Sequence, residues 1–139
     1  TDQEKFARAE YEIFCGWDVQ EVGLVLHPTI ERGAASPDGL VSTNGAVEIK
    51  APKTATHLQT LIDKKQPRQY ENQMLWQMAC TERQWCDFVS FDPRMSEGLQ
   101  LFIKRVEFDP VLVATLEKEV IFFLQELEDK INQLNKLKD

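Results

Sequence analysis

The chain has 139 residues, 42% of them hydrophobic and 28% charged, with 23 Asp and Glu against 16 Lys and Arg for a formal net charge of −7. That is the composition of one globular domain, expected to occupy 1–139 and to bury a core of its own, and the acidic balance excludes strong non-specific binding to nucleic acid without excluding a local basic groove. No apolar run approaches the ~18 residues that span a bilayer and no secretory segment opens the chain, so a cytoplasmic protein with no membrane association is expected.

Residues 2–15 read as a helix, with Asp2 as N-cap, Phe6, Ala9, Ile13 and Phe14 at helical spacing, and Gly16 as the stop. Glu4 falls in its first turn, where a carboxylate also complements the helix dipole. VQEVGLVLH (19–27) reads as a strand ended by Pro28, with His27 a strand-end residue that has no partner at metal-ligand spacing. A loop over Thr29 to Gly33 leads through the small residues Ala34, Ala35 and Ser36 into SPDGLVSTNGAVEIK, residues 36–50. There Asn44-Gly45 supplies the positive φ angles of a type I′ turn, which predicts a hairpin.

Ala51-Pro52-Lys53 breaks the second strand, and Thr54 or Thr56 caps a helix over about 55–63. Gln66-Pro67 opens another over 68–82. Its Met74, Trp76 and Met78 suit a core or interface, while Tyr70, Gln73 and Gln77 form a polar flank that suits a cleft. WCDFVSF (85–91) and LQLFIKRVE (99–107) read as strands, separated by Asp92-Pro93 and Glu97-Gly98. The inner face of the first holds either Cys86, Phe88 and Ser90 or the complementary set. Pro110 starts a helix to about 137 with a stripe of Val113, Leu116, Val120, Phe123, Leu124, Leu127, Ile131 and Leu134. It is expected to cover the sheet with its acidic face in solvent, a coiled-coil arm being the alternative. Cys15, Cys80 and Cys86 lack C-x-x-C spacing and are odd in number, which predicts reduced, buried thiols. The element order predicts an α/β fold, a mixed central sheet flanked by helices with a long C-terminal helix.

Alternation along a strand puts Glu48 and Lys50 on one side and Ile49 in the core. The hairpin returns Asp38 beside Glu48, which gathers two carboxylates and an ammonium on one face, enough for a divalent cation and an activated water. An ordinary Asp-Gly turn and a Glu-x-Lys ion pair worth ~0.2–1 kcal/mol account for the same residues. Lys50, Lys53, Lys64, Lys65 and Arg68 supply a local basic surface.

Pro37-Asp38 followed by Glu48-Ile49-Lys50 resembles the PD-(D/E)XK nuclease motif, and SPDGLV…VEIKAP is similar to its lambda-exonuclease-type branch, the phage alkaline exonucleases and YqaJ-like viral recombinases. Glu4 in EKFARAEYE, Tyr70 and Gln73 in QYENQMLWQMA, and Phe91-Asp92-Pro93-Arg94-Met95 before Glu-Gly-Leu match further motifs in order, over most of 4–108. The resemblance implies a restriction-endonuclease-like core and two-metal phosphodiester hydrolysis. Asp38, Glu48 and the backbone carbonyl of Ile49 then hold Mg²⁺ (Mn²⁺ being the substitute), and Glu4 completes the acidic shell directly or through water. Lys50 orients the attacking water, lowers its pKa or stabilises the phosphorane's charge. Gln73 and Tyr70 position the water, Lys50 or the scissile phosphate. Ser36 resembles the contact to a terminal 5′-phosphate, and Lys53 and Arg68 face the DNA.

The resemblance further implies 5′→3′ digestion of linear double-stranded DNA in phage-type recombination, a 3′ strand left for a single-strand annealing protein, and a ring-shaped trimer. The family's N-terminal helices, which grip the 5′ end, are expected to be missing, since the chain begins with Thr inside the Glu4 motif. Two alternatives stand beside the exonuclease: a non-catalytic DNA-binding or assembly module on the same fold, and an endonuclease or single-strand nuclease with the same site.

Overall fold

Apolar residues at period two make the middle of the chain a sheet, seen here in a computed structural model that describes residues 2–138, the side chain of Asp2 excepted. Helix α1 (Asp2–Cys15) precedes five strands: β1 (Val19–Gln20), β2 (Val25–Leu26), β3 (Ala34–Ala35), β4 (Gly39–Val41) and β5 (Gly45–Lys50). Next come α2 (Thr54–Asp63), a 3₁₀ turn (Arg68–Tyr70), α3 (Glu71–Thr81), β6 (Trp85–Phe91), β7 (Leu101–Glu107) and α4 (Pro110–Lys136). The main sheet runs β1-β4-β5-β6-β7, with β5 and β6 parallel and the other neighbours antiparallel. This is the mixed α/β architecture that the element order predicts.

Two cores follow from the alternation of β5 and β6. Val47 and Ile49 face α1 and pack with Ala7, Tyr11, Val89 and Phe91. Ala46 faces the other way and packs with Phe88, Cys86, Met74 and Met78, under α3 and the start of α4. Both sets of β6 side chains are therefore buried, one on each face of the sheet, because helices cover both faces. Full burial of Phe88, 1% exposed, contributes about 2–3 kcal/mol. Cys80 and Cys86 are buried and Cys15 partly so, all three as free thiols. Burial pushes the Cys80 thiol up to about 11, which leaves it inert. Among the described residues no helix is long and apolar enough to cross a membrane.

Five expectations need correcting. The cap expected of Asp2 lies outside the described side chains, but α1 turns a different face inward from the one its large residues mark. Ala7 and Tyr11 are fully buried, while Phe6, Ile13 and Phe14 are 61%, 77% and 73% exposed. The small Ala7 lets the helix approach the sheet, and the Tyr11 hydroxyl donates to buried Asp87 at 2.7 Å. The single strand expected over 19–27 is two short ones in different sheets, with Gly23 between them. Its end, His27, is fixed by geometry: Nδ1 accepts from the amides of Thr29 and Ile30 at 3.1 and 3.0 Å, so Nε2 carries the proton and donates to Glu117 at 2.5 Å.

The hairpin forms, but its turn is Ser42-Thr43-Asn44, with the positive φ (54°) on Ser42. Gly45 is instead a strand residue kept bare for the Trp85 ring, which would meet an added Cβ at 2.1 Å. Neither Thr54 nor Thr56 caps α2; Lys53 occupies the N-cap position with no side-chain bond. Finally, α4 covers the sheet only with its beginning. Val113 is buried and Leu116 packs on the core, but Phe123, Leu127, Ile131 and Leu134 are 61%, 40%, 41% and 61% exposed. At 1.5 Å per residue the helix is about 40 Å long, roughly 24 Å longer than α3 beneath it, so it overhangs.

Candidate active site

The site is built where β5 outruns its neighbour. β4 begins at Gly39, opposite Val47, so the last residues of β5 have no strand on that side. Asp38, the residue before Gly39, fills the gap: its Oδ2 accepts the Ile49 amide at 2.7 Å. The carboxylate thus replaces a ladder partner and is held at the strand end, as the hairpin argument predicts.

Glu48 points to the α3 face at 1% exposure, a buried charge that is unaffordable unless hydrogen-bonded. Its oxygens are met from three directions. Oε1 accepts from Gln73 Nε2 at 3.1 Å and pairs with Lys50 Nζ at 3.0 Å, and Oε2 accepts from Gln77 Nε2 at 2.7 Å. Lys50 lies 4.7 Å from the Tyr70 ring centroid, in cation–π geometry, and Tyr70 itself stacks on Phe88. Asp38, Glu48, Lys50, Gln73 and Tyr70 therefore share one strand end, as their motifs predict.

The electrostatics are those of an acid cluster with one ammonium. Asp38 has an open side to solvent, yet its carboxyl end is turned inward and its pKa is raised to about 6. Burial is the largest cause and the charges of Glu48 and Glu4 add to it, against the Ile49 amide and Lys50. Burial acts to lower the Lys50 pKa, but the Glu48 hydrogen bond and charge outweigh it and hold the amine above its ordinary value. Lys50 is therefore a cation at neutral pH, a donor and charge stabiliser rather than a base.

A hollow of about 240 Å³ opens beside the strand end, lined by Glu4, Glu21, Asp38, Ile49, Lys5 and Arg8, with Arg8 paired to Glu21. Among the described residues no three His, Cys, Asp or Glu side chains stand close enough together to hold a metal as they are. What the hollow offers is oxygen donors whose charges repel one another, the donor set that suits a hard cation. Glu48 does not line it, being turned to its three donors. Ser36, Lys53 and Arg68 are exposed, and Lys64 and Lys65 with them.

Three groups at this strand end carry roles that the sequence motifs did not assign. Gln77 is the first: one helical turn beyond Gln73 on the same flank, it is buried and grips the second oxygen of Glu48. His57 is the second. Its Nε2 donates to the Leu99 carbonyl at 2.8 Å, so Nδ1 accepts from Ser90 at 2.7 Å, and Ser90 is the β6 partner of Lys50. The third is the pair Asp92 and Arg94, with Arg94 Nε donating to Asp92 Oδ1 at 2.8 Å. The spacing Gln73-x-x-x-Gln77 is a signal for the first and the motif Phe91–Met95 for the third, whereas the role of His57 depends on contacts across the fold.

Residues 1–84 match the model of the YqaJ-like viral recombinase domain. The chain is also similar to the crystal structure of an alkaline exonuclease (LHK-Exo) from Laribacter hongkongensis, with a TM-score of 0.95 and 50% identity over 97% of this chain and 70% of that one. The structure of LHK-Exo in complex with dAMP matches with the same TM-score and identity, over 97% of this chain and 69% of that one. None of the curated proteins compared matches the chain.

Proposed function

The chain belongs to the YqaJ-like viral recombinase family, and on that premise we propose that it is a metal-dependent exodeoxyribonuclease acting 5′→3′ on linear duplex DNA in phage-type recombination. One observation carries the reading: a buried carboxylate, Glu48, held by Lys50, Gln73 and Gln77 at the strand end where Asp38 is anchored. What distinguishes this acid from a structural ion pair is its place beside a hollow lined by three more carboxylates, Glu4, Glu21 and Asp38. The dAMP bound by the Laribacter exonuclease is a mononucleotide, the class of product that stepwise cleavage releases, and supports the exonucleolytic form.

Asp38, Glu48, Glu4 and the Ile49 carbonyl would hold Mg²⁺, or Mn²⁺ in its place. When bound, the cation supplies Lewis-acid polarisation of the phosphoryl group and makes water a better nucleophile. The chain's own residues do the rest. Lys50, protonated and backed by the Tyr70 ring, faces the negative charge that develops on the phosphate. Gln73 and Gln77 hold the Glu48 carboxylate in place, and Asp38 is fixed by the Ile49 amide. A homotrimeric ring and an annealing protein that receives the 3′ strand belong to the same proposal.

The test is a linear duplex labelled separately at each end, beside a closed circle, with Mg²⁺ and then with chelator. Progressive loss from 5′ ends, absent on circles and in chelator, is the expected result. Cutting of circles would replace the proposal with an endonuclease, and metal-independent cutting would remove its mechanism.

Gln77 gives a second check. Its Oε1 is buried without a hydrogen-bond partner, so Gln77→Met removes an unsatisfied acceptor while it withdraws a donor from Glu48. These effects offset, and the melting temperature is expected to stay within about 3 °C of wild type. Turnover is expected to fall about 10–100-fold, the usual effect of losing a group that orients a metal-binding carboxylate. Full activity in single-turnover assays would make Gln77 a packing residue only.

A further inference from the structure

Helix α2 follows the candidate active site directly, with His57 in its second turn and Lys50 just before its start. Apolar packing does little to dock it, since Leu58 and Ile62 are 45% and 63% exposed. Its buried side chains are His57 and Thr60, both polar. Thr60 spends its hydroxyl inside the helix, on the Thr56 carbonyl at 3.1 Å. Of the two, His57 is therefore the one that bonds outward.

The imidazole is fully enclosed, and its partners set its tautomer. The Leu99 carbonyl can only accept, so Nε2 carries the proton and donates to it at 2.8 Å; Nδ1 then accepts from the Ser90 hydroxyl at 2.7 Å. Both partners are themselves fixed. Ser90 is buried on β6, and Leu99 belongs to a loop closed on itself. In that loop Gln100 Nε2 donates to the Pro93 and Met95 carbonyls, and the Asp92 amide donates to the Gln100 carbonyl. Packing alone does not explain an imidazole here, because a leucine would fill much the same space with no polar atoms to satisfy.

What the imidazole holds is the surroundings of Lys50. Ser90 is the register partner of Lys50 in the parallel β5–β6 pair, so the two side chains stand side by side on the face that carries Glu48. The chain leaving Lys50 runs through Ala51-Pro52-Lys53 into α2, whose start has no side-chain cap to fix it. One imidazole thus clamps both the cross-strand neighbour of Lys50 and the backbone that follows it. At its far end the ammonium meets Glu48 and the Tyr70 ring.

We propose that His57, through Ser90, is a positioning residue that sets the path of the Lys50 side chain and so places its ammonium against the phosphate being hydrolysed. The proposal rests on the nuclease reading and adds to it a group that touches neither metal nor substrate.

The experiment is a double-mutant cycle read by single-turnover cleavage of a linear duplex at saturating DNA and Mg²⁺. Ser90→Ala, His57→Leu and His57→Asn are each assayed alone and combined with Lys50→Ala. Melting curves accompany every protein, and duplex affinity is measured in Ca²⁺. Ser90→Ala and His57→Leu are each expected to slow cleavage about 10–100-fold with affinity unchanged, the scale of a misplaced group in a reacting site. His57→Asn, which can still accept from Ser90, is expected to keep more activity than His57→Leu. In the Lys50→Ala background the same substitutions are expected to change the rate by less than about twofold, because nothing is left to position. Should His57→Leu fail to fold, Ser90→Ala carries the cycle alone, since it removes one hydroxyl and leaves the imidazole bonded to Leu99. Wild-type cleavage by the folded variants would make His57 a packing residue. Equal losses in both backgrounds would detach His57 from Lys50 and overturn the proposal while the nuclease reading stands. A wild-type protein that cleaves no duplex would overturn both.

Discussion

Replacing Lys50 with alanine is expected to slow duplex hydrolysis by about 10²–10³-fold, the usual effect of removing one pre-organised donor from a site where charge develops. The size follows from where the ammonium sits. Lys50 is the last residue of β5, its Nζ is 3.0 Å from Glu48 Oε1, and the Tyr70 ring lies 4.7 Å away. Its raised pKa keeps it charged, so what the substitution removes is a fixed positive charge rather than a base. The fold should survive, because Glu48 keeps Gln73 and Gln77 as donors and the Lys50 side chain is 27% exposed. Single-turnover cleavage with saturating DNA isolates the chemical step, and Lys50→Arg separates charge from shape. A Lys50→Ala protein within tenfold of wild type would move the chemistry away from this strand end.

The sequence made this strand end legible because its logic is local. Period-two alternation sets Glu48 and Lys50 together, and an Asp at the start of a short hairpin must return to the strand it left. Likewise the two cores follow from β5 and β6 reading as apolar on alternate residues. What escaped was decided by partners distant in the chain. Phe6, Ile13 and Phe14 mark the wrong face of α1 because Tyr11 answers to Asp87, 76 residues away. Asn44-Gly45 looks like a turn because Gly tolerates positive φ, but the glycine is required by Trp85 packing over it. Gln77 looked like one of three polar groups on a flank, and only the register of α3 against β5 shows that it reaches Glu48. The apolar stripe of α4 predicts a buried helix, but nothing in a stripe says how long the surface beneath it is.

The Tyr11 contact leads to the largest expected effect on stability. Arg105→Met should destabilise the fold by about 3 kcal/mol, since removing one partner of a buried ion pair leaves the other charge uncompensated. Asp87 is 3% exposed, and Arg105 Nε and Nη2 donate to its two oxygens at 2.8 and 3.1 Å, with Tyr11 the third donor at 2.7 Å. Arg105 also lies against two rings, its guanidinium 3.5 Å from the Trp85 ring centroid and 5.9 Å from that of Trp17, which stacks on Trp85. Because the Arg105 side chain is 40% exposed, the lower end of the range for buried pairs applies. For a chain of this length that is a fall of about 10 °C in melting temperature. The double variant Asp87→Asn with Arg105→Met should recover part of the loss, since an amide carries no stranded charge. Val47, the β5 partner of Asp87, faces α1, whereas Glu48 and Lys50 face α3. Glu48 and Lys50 should therefore keep their geometry in Arg105→Met, and cleavage per folded molecule should stay near the wild-type rate as long as Tyr11 still ties α1, which carries Glu4, to Asp87. A variant that melts normally would show that the Asp87 charge is relieved by solvent, and one that folds but does not cleave would couple the two faces of the sheet.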